Sequence, residues 1–430
     1  MTTATPSLYD LTAASFRIGC LGFGGPAGQI ALMHRIFVDE KKWLGEAEYL
    51  HALNYCMLLP GPEAQQLATY AGWRLHGVAG GLIAGALFVL PGAIIVFALT
   101  WLYAALGTTP VVSALFYGIK AAVIGFILEA LWRVGKRALK TPADLAISAL
   151  AFLGLLLFEL PFPLVIAAAA AFGLARSFAV PAPARSAPAA PLKAGSALAT
   201  AAAWTAIWLA PLSAAFTLLG PDHVLTRVGA LFSKLALVTF GGAYTVLAYL
   251  QQQAVEAEGW LTGPQMIDGL GLAETTPGPL VLVNQFVGFM AGWQAGGSLT
   301  LAALAAAMAS WCTFAPSFVW IFAGAPFSES LRQNRIAAGM LGSITAAVFG
   351  IIAVIAMVFA IAVLFRETSR IELPGGSAIN LPAFVSLDPF ALALAAAAAT
   401  ALIRLGANMV LVLIACALAG LARMVMPGAP

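Results

Sequence analysis

Long apolar runs separated by short polar interruptions dominate this chain. The runs at 78 to 105, 111 to 135, 196 to 219, 295 to 325 and 333 to 364 predict helices long enough to cross a bilayer, which takes about 20 residues in helical geometry. Closing pairs of shorter apolar helices are predicted over 142 to 177 and 387 to 425, and first helices over 8 to 34 and 224 to 250. The segments 46 to 76 and 263 to 290 are helical in pattern, but each is broken by Pro-Gly-Pro, and the pattern alone leaves open whether they cross fully or re-enter. The class predicted is an all-α polytopic membrane protein of about twelve spanning or broken helices plus a linker helix.

The elements come in two matching sets. Phe23-Gly24-Gly25 recurs as Phe240-Gly241-Gly242, Trp43-Leu44 as Trp260-Leu261, and Pro60-Gly61-Pro62 as Pro277-Gly278-Pro279, all offset by 217 residues. Pro91 and Ala121-Ala122-Val123 recur as Pro316 and Ala346-Ala347-Val348 at an offset of 225, and Gly173-Leu174-Ala175-Arg176 as Gly420-Leu421-Ala422-Arg423 at 247. These ordered matches divide the chain into a first repeat (8–178), a Pro/Ala-rich linker with an extra helix (179–221) and a second repeat (222–426). An odd number of crossings before the second repeat inverts it relative to the first.

Charge supports the inversion. Lys and Arg favour cytoplasmic loops; Arg133, Lys136, Arg137 and Lys140 follow the fourth segment of the first half, whereas in the second half Arg332 and Arg335 precede it. Lys41 and Lys42 disagree unless the broken segment is re-entrant. With 61% hydrophobic and 9% charged residues and a mean hydropathy of +0.94, the chain is excluded from the soluble enzymes, disordered proteins and nucleic-acid binders. Cys20, Cys56, Cys312 and Cys416 lie far apart in apolar sequence and read as packing thiols. The opening MTTATPSLYDL has neither a basic region nor a cleavage site, so no removable signal peptide is expected.

Charged side chains inside spanning helices are functional candidates because each is costly there. Arg17 and Lys234 stand six residues before Phe23 and Phe240, so the repeat places a cation at one position in both halves. A pair of cations suits a dianionic substrate; the competing reading is snorkelling to a headgroup or neutralisation of a nearby Glu. Pro-Gly-Pro in a membrane survives where it is buried in protein or lines a watery cavity. Pro62 and Pro279 suit the first position of a new half-helix, whose amides bind oxyanions. Gly24, Gly25, Gly241 and Gly242 allow either a similar backbone approach or tight helix packing. Around the breaks, Glu63, Gln65 and Gln66 in the first half and Glu274, Thr275 and Thr276 in the second are polar, with Asn284 and Gln285 beyond. Glu63 and Glu274 are candidates for proton coupling, or else helix caps or partners of Arg17 and Lys234. Asp268 aligns with His51, and both are expected at a water-facing segment entrance; Lys120, Glu129 and Arg133 read as a helix-surface network.

No nucleotide-binding loop, zinc motif or Ser/His/Asp spacing is present, so neither a cofactor nor a metal is expected and an intramembrane enzyme acting on a phospholipid is the weaker class. Inverted halves with broken helices point to a secondary transporter.

The stretches Phe23-Gly24-Gly25-Pro26, Pro60-Gly61-Pro62-Glu63-Ala64-Gln65-Gln66-Leu67-Ala68 and Leu90-Pro91-Gly92, with Phe240-Gly241-Gly242-Ala243-Tyr244 and Asp268 to Pro279, resemble the signatures of the chromate ion transporter family in its two-domain form. The resemblance covers essentially the whole chain. It implies a multi-pass carrier of the bacterial inner membrane that expels chromate, driven by the membrane potential or protons, and confers chromate resistance. It also implies two antiparallel homologous domains. Chromate and sulfate are both tetrahedral dianions, so the site as read does not separate them: sulfate is an expected competitor, and a carrier or channel for sulfate or another oxyanion is the alternative. The lipid bilayer is the expected surrounding, a nucleic-acid partner is not expected, and a homodimer is allowed.

Overall fold

A chain in lipid must satisfy its backbone polar groups internally, and this one does so almost entirely with helices. The computed structural model describes residues 6–23, 25–106, 109–179, 194–240, 243–325, 335–372 and 378–425. In chain order the helices are α1 (Leu8–Leu21), α2 (Gly25–His34), α3 (Glu46–Cys56), α4 (Glu63–Leu106), α5 (Pro110–Ala138), α6 (Pro142–Phe158), α7 (Phe162–Ala179) and α8 (Ala194–Leu219). They continue as α9 (Val224–Val238), α10 (Ala243–Leu250), α11 (Gly263–Thr275), α12 (Val283–Gly296), α13 (Leu299–Gly324), α14 (Arg335–Leu364), α15 (Pro389–Ile403) and α16 (Met409–Val425). Among the described residues, five helices are long and apolar enough to cross a membrane, and four shorter apolar helices accompany them. The protein is an all-α polytopic membrane protein.

Local chemistry sets the helix ends. Ser7 and Asp10 form a capping box on α1, Thr141 and Asp144 another on α6, and the Asp388 carboxylate accepts from the amides of Phe390 and Ala391 at the start of α15. α4 folds back on itself at His76 and Gly77, where φ reaches +60° at the glycine. Its two arms pack closely, Gly72 on Gly80 and Gly85 on Thr69, because none of the three glycines has a Cβ.

Two predicted helices are corrected. The segments 8 to 34 and 224 to 250 are not continuous: α1 ends at Leu21 and α9 at Val238, and a second helix begins a few residues later in each. The glycine at 22 and the extended backbone of Thr239 stop the ladder and leave carbonyls free for other partners. After each second helix the chain makes a π-helical turn, Arg35–Glu40 in the first half and Gln251–Ala257 in the second. The amide of Trp43 donates to Phe37 O and that of Trp260 to Ala254 O, both at 2.8 Å, so the 217-residue offset extends to individual hydrogen bonds. The second half also carries a small antiparallel hairpin, β1 (Thr368–Glu372) with β2 (Ala378–Pro382), in the loop where its sequence is longer. Much of the 179–195 linker stretch, and Arg332, lie outside the described residues.

The chain forms two compact units, each drawing on both sequence halves. One comprises Met1–Leu99, Arg176–Ala243 and Thr276–Gly339. There α12 packs on α13 through Gly288 and Gly292 against Ala305 and Ala302, and α8 buries Trp208 against Ala315 and Val319 of α13. The other comprises Thr100–Ala175, Tyr244–Thr275 and Met340–Pro430. Its centre is α5, which meets α15 and α16 through Gly125 against Ala398 and Gly118 against the Cys416 carbonyl. All four cysteines are free thiols, three of them buried.

The α5–α16 contact leaves no room for a side chain at Gly118. Gly118→Leu is expected to lower thermal stability in detergent by about 1–3 kcal/mol, whereas Gly45→Ala, in open space, leaves it unchanged. Unfolding followed by thiol-reactive dye at the buried cysteines checks both.

Candidate functional site

Each Pro-Gly-Pro break turns on its central glycine. Gly61 has φ +109° and Gly278 φ +94°, a region that L side chains rarely enter. Past Gly61, Pro62 leads into the first turn of α4; past Gly278, Pro279 leads into a short 3-10 turn, Leu280–Leu282, and then α12. The turn amides bond across the repeat. Gly61 N–H donates to Thr239 O at 2.9 Å, and Gly278 N–H donates to Gly22 O at 3.0 Å. Gly22 and Thr239 are themselves 217 residues apart, so each half's break is tied to the other half's interrupted first helix by the same bond.

Buried amide side chains complete the crossing. Gln29, fully buried on α2, donates from Nε2 to both Gly278 O at 2.6 Å and Gly22 O at 3.1 Å. Gln66 Nε2 donates to Pro60 O at 2.7 Å, Asn284 Nδ2 to Thr313 Oγ1 at 3.0 Å, and Gln285 Nε2 to Ala93 O at 2.9 Å. Gln65 Nε2 lies 3.5 Å from Phe314 O. A side chain at Gly92 would overlap the Pro277 carbonyl, so the long arm of α4 presses directly on the second break.

Two small cavities lie at this crossing. One, of about 20 Å³, is lined by Pro26, Gln29, Gly61, Pro62, Glu63, Ala64 and the start of the second half-helix, Pro279 to Val281. The other, of about 10 Å³, adds Thr239, Asn284 and Thr313. Each has room for about one water molecule, so a tetrahedral anion enters only if the surrounding segments move. The larger cavity is bordered by the start of α2 at Pro26, which has no N–H, by the start of α4 at Glu63 and by the short 3-10 turn at Leu280; helix starts carry a partial positive charge and amides with no partner in their own helix. Backbone amides at the start of α4 are the donors available to a small anion here, and Glu63 shares the lining.

The predicted site residues divide accordingly. Pro60, Gly61, Pro62, Glu63, Gln65, Gln66, Thr276, Pro277, Gly278 and Pro279 all lie in the unit that holds the crossing, and Gly61, Pro62, Glu63 and Pro279 line its larger cavity. Gly25 takes φ +70° at the start of α2, while Gly24, Gly241 and Gly242 lie outside the described residues. Thr275 Oγ1 donates to Leu272 O at 2.6 Å at the end of α11, and Glu274 beside it is buried. Arg17 and Lys234 do not line either cavity. Arg17 is about half exposed and pairs with Glu40 at 3.0 Å, a partner the sequence reading did not name, and Lys234 is exposed on α9.

Two other expectations are revised. Asp268 does not face water: it is 4% exposed, accepts from the Tyr103 hydroxyl at 2.8 Å and lies 3.3 Å from Lys120 Nζ. Lys120 consequently belongs with Asp268, leaving Glu129 and Arg133 as an i,i+4 pair on α5. Burial wins because residues 266 to 274 are enclosed on every side of α11. The sequence reading also overlooked Gln29, whose counterpart in the second half is Val246 and which no repeat match marks.

A family model described as Chromate transporter matches residues 9–174 and 226–421. The chain is 33% identical over 355 residues to a chromate transport protein of Pseudomonas aeruginosa, covering 80% of this chain and 79% of the relative. It is 30% identical over 353 residues to a chromate transport protein of Cupriavidus metallidurans, covering 82% of each. A Bacillus subtilis protein, Uncharacterized transporter YwrB, is 33% identical over 171 residues, which is 38% of this chain but 85% of that protein. No solved structure matches.

Gln29→Leu removes both donors from the Gly22 and Gly278 carbonyls. It is expected to cost about 1–3 kcal/mol in detergent unfolding, because two buried acceptors lose a partner. Gly278→Ala is expected to destabilise as well, by forcing a side chain into positive φ.

Proposed function

We propose that this chain, which belongs to the chromate transporter family, is a secondary active carrier that exports chromate across the bacterial inner membrane and so confers chromate resistance. The observation that carries the reading is the crossing of the two Pro-Gly-Pro breaks, which brings the start of α4 from one half and the turn Leu280–Leu282 from the other to one small cavity. Chromate is a tetrahedral dianion, and amide donors at helix starts are a chemistry that holds such an ion. The names of the relatives select chromate over other oxyanions; backbone donors alone do not, so sulfate competes for the same site.

The two sequence repeats, 8–178 and 222–426, are proposed to run in opposite directions through the membrane. Alternating access then follows from exchanging the roles of the two breaks, each of which already holds the other half's interrupted helix. An inside-negative potential favours anion exit by roughly 2.3 kcal/mol per charge per 100 mV, and exchange for protons adds to it. Glu63 and Glu274 are the sequence-level candidates for that exchange. Arg17 and Lys234 contact the substrate only in a conformation that carries them away from their surface positions.

The reading is tested by chromate accumulation in a sensitive bacterial host expressing the chain, with and without an uncoupler and with sulfate as competitor. Lower accumulation that the uncoupler abolishes is expected; unchanged or higher accumulation rejects chromate export. Arg17→Ala and Lys234→Ala are expected to weaken chromate affinity, and wild-type affinity in both removes them from the transport path. Glu63→Gln and Glu274→Gln are checked by the pH profile of transport, a full profile eliminating that residue as a coupling group.

A further inference from the structure

Most carboxylates described above have structural employment. Asp10, Asp144 and Asp388 cap helices, Glu129 pairs with Arg133 within one helix, and Glu40 pairs with Arg17 at the surface. Asp268 is different. It sits in the interior of α11, far from either helix end, and accepts no backbone amide. Its Oδ2 accepts the Tyr103 hydroxyl at 2.8 Å, and its Oδ1 is buried 3.3 Å from the Lys120 ammonium, with no backbone donor among the described residues. Removing two charges from water costs several kcal/mol, and a buried pair with one ammonium contact and one hydroxyl donor recovers that only in part. An imperfect buried pair of this kind is poor scaffolding and a good place to add a proton.

The surroundings fit that use. α11 packs on α5, α16 and the π-turn Gln251–Ala257, and Tyr103 reaches it from the end of α4. The other charged or titratable groups are Glu274 on α11 itself, Tyr117, Glu129, Arg133, Lys136 and Arg137 on α5, Cys416 and Arg423 on α16, and Glu256 on the π-turn. Glu129 is committed to Arg133, and Arg423 to Asp388 with Tyr117 stacked under it. Lys120 and Tyr103 are the charged or titratable groups in direct contact with the Asp268 carboxylate. Gly271, one turn further along α11, allows such close approach to Ile119 that α11 is pressed onto α5 beside the pair.

We propose that Asp268, Lys120 and Tyr103 form a proton-carrying site of the transport cycle. One proton adds to the Asp268 carboxylate, the ion pair with Lys120 is lost, and the pair changes from net neutral to a single positive charge; the proton leaves when the pair reforms. α11 runs directly into Thr276 and the second Pro-Gly-Pro break, about 10 Å along the helix from Asp268. Loosening α11 from α5 is thereby transmitted through the backbone to the segment that turns at Gly278. This site rests on the proton-exchange reading of the transporter given above.

The test uses the full chain reconstituted in proteoliposomes, with radiolabelled chromate and two assays. Chromate-for-chromate exchange at equal pH needs the anion path alone; uptake driven by an imposed pH gradient needs the proton site as well. Asp268→Asn keeps the shape of the side chain and the Tyr103 contact, and it is expected to retain exchange while losing the response to the gradient. A variant that responds to the gradient as the wild type does overturns the proposal and leaves the transporter reading intact. A proportional fall in both assays also overturns it, because that is the mark of a tether. If Asp268→Asn does not fold, the double variant Lys120→Met with Asp268→Leu replaces the pair by apolar groups and is held to the same two outcomes. Absence of chromate exchange in the wild type defeats the transporter reading itself and the proton site with it.

Discussion

Two backbone hydrogen bonds, Gly61 N–H to Thr239 O and Gly278 N–H to Gly22 O, account for more of this structure than any side-chain contact. Both donors and both acceptors exist only because four helices are interrupted, and a backbone group in a membrane interior cannot be left without a partner. Each half of the chain therefore supplies what the other lacks. The interruption of α1 releases a carbonyl that the second break needs, and the end of α9 releases the one needed by the first.

The symmetry is one of backbone, and the side chains depart from it. Gln29, Gln65 and Gln66 fix the first half's side of the crossing, while their counterparts at the same offset are Val246, Leu282 and Val283; Asn284 and Gln285 face Leu67 and Ala68 in that comparison. Duplication preserves what the backbone requires, glycine at positive φ and proline at the helix start, because few residues can substitute there. The amides are free to differ, since any buried donor that reaches a stranded carbonyl satisfies it.

The sequence made the long helices, the linker helix, the closing pairs and both breaks legible, because apolar run length and Pro-Gly-Pro are local signals. It did not reveal the interruptions after Leu21 and Val238. Phe-Gly-Gly is equally compatible with tight packing inside a continuous helix, and only the partner of the stranded carbonyls decides between them. The hairpin at Thr368–Glu372 and Ala378–Pro382 was hidden for a similar reason, being short and lodged in an insertion with no repeat counterpart. At the site, the breaks themselves were readable, but Gln29 and the Asp268–Lys120–Tyr103 cluster depend on contacts across more than a hundred residues of chain in most cases, which no spacing rule encodes.

The central claim is that the anion is held where the two breaks cross. A single cysteine at Ala64, which lines the larger cavity, in a variant whose four native cysteines are replaced, tests it directly through the rate of reaction with a small thiol reagent. Chromate should slow that reaction in a concentration-dependent way while leaving a cysteine placed at exposed Leu198 on α8 unaffected. Equal rates at Ala64→Cys with and without chromate would contradict the account.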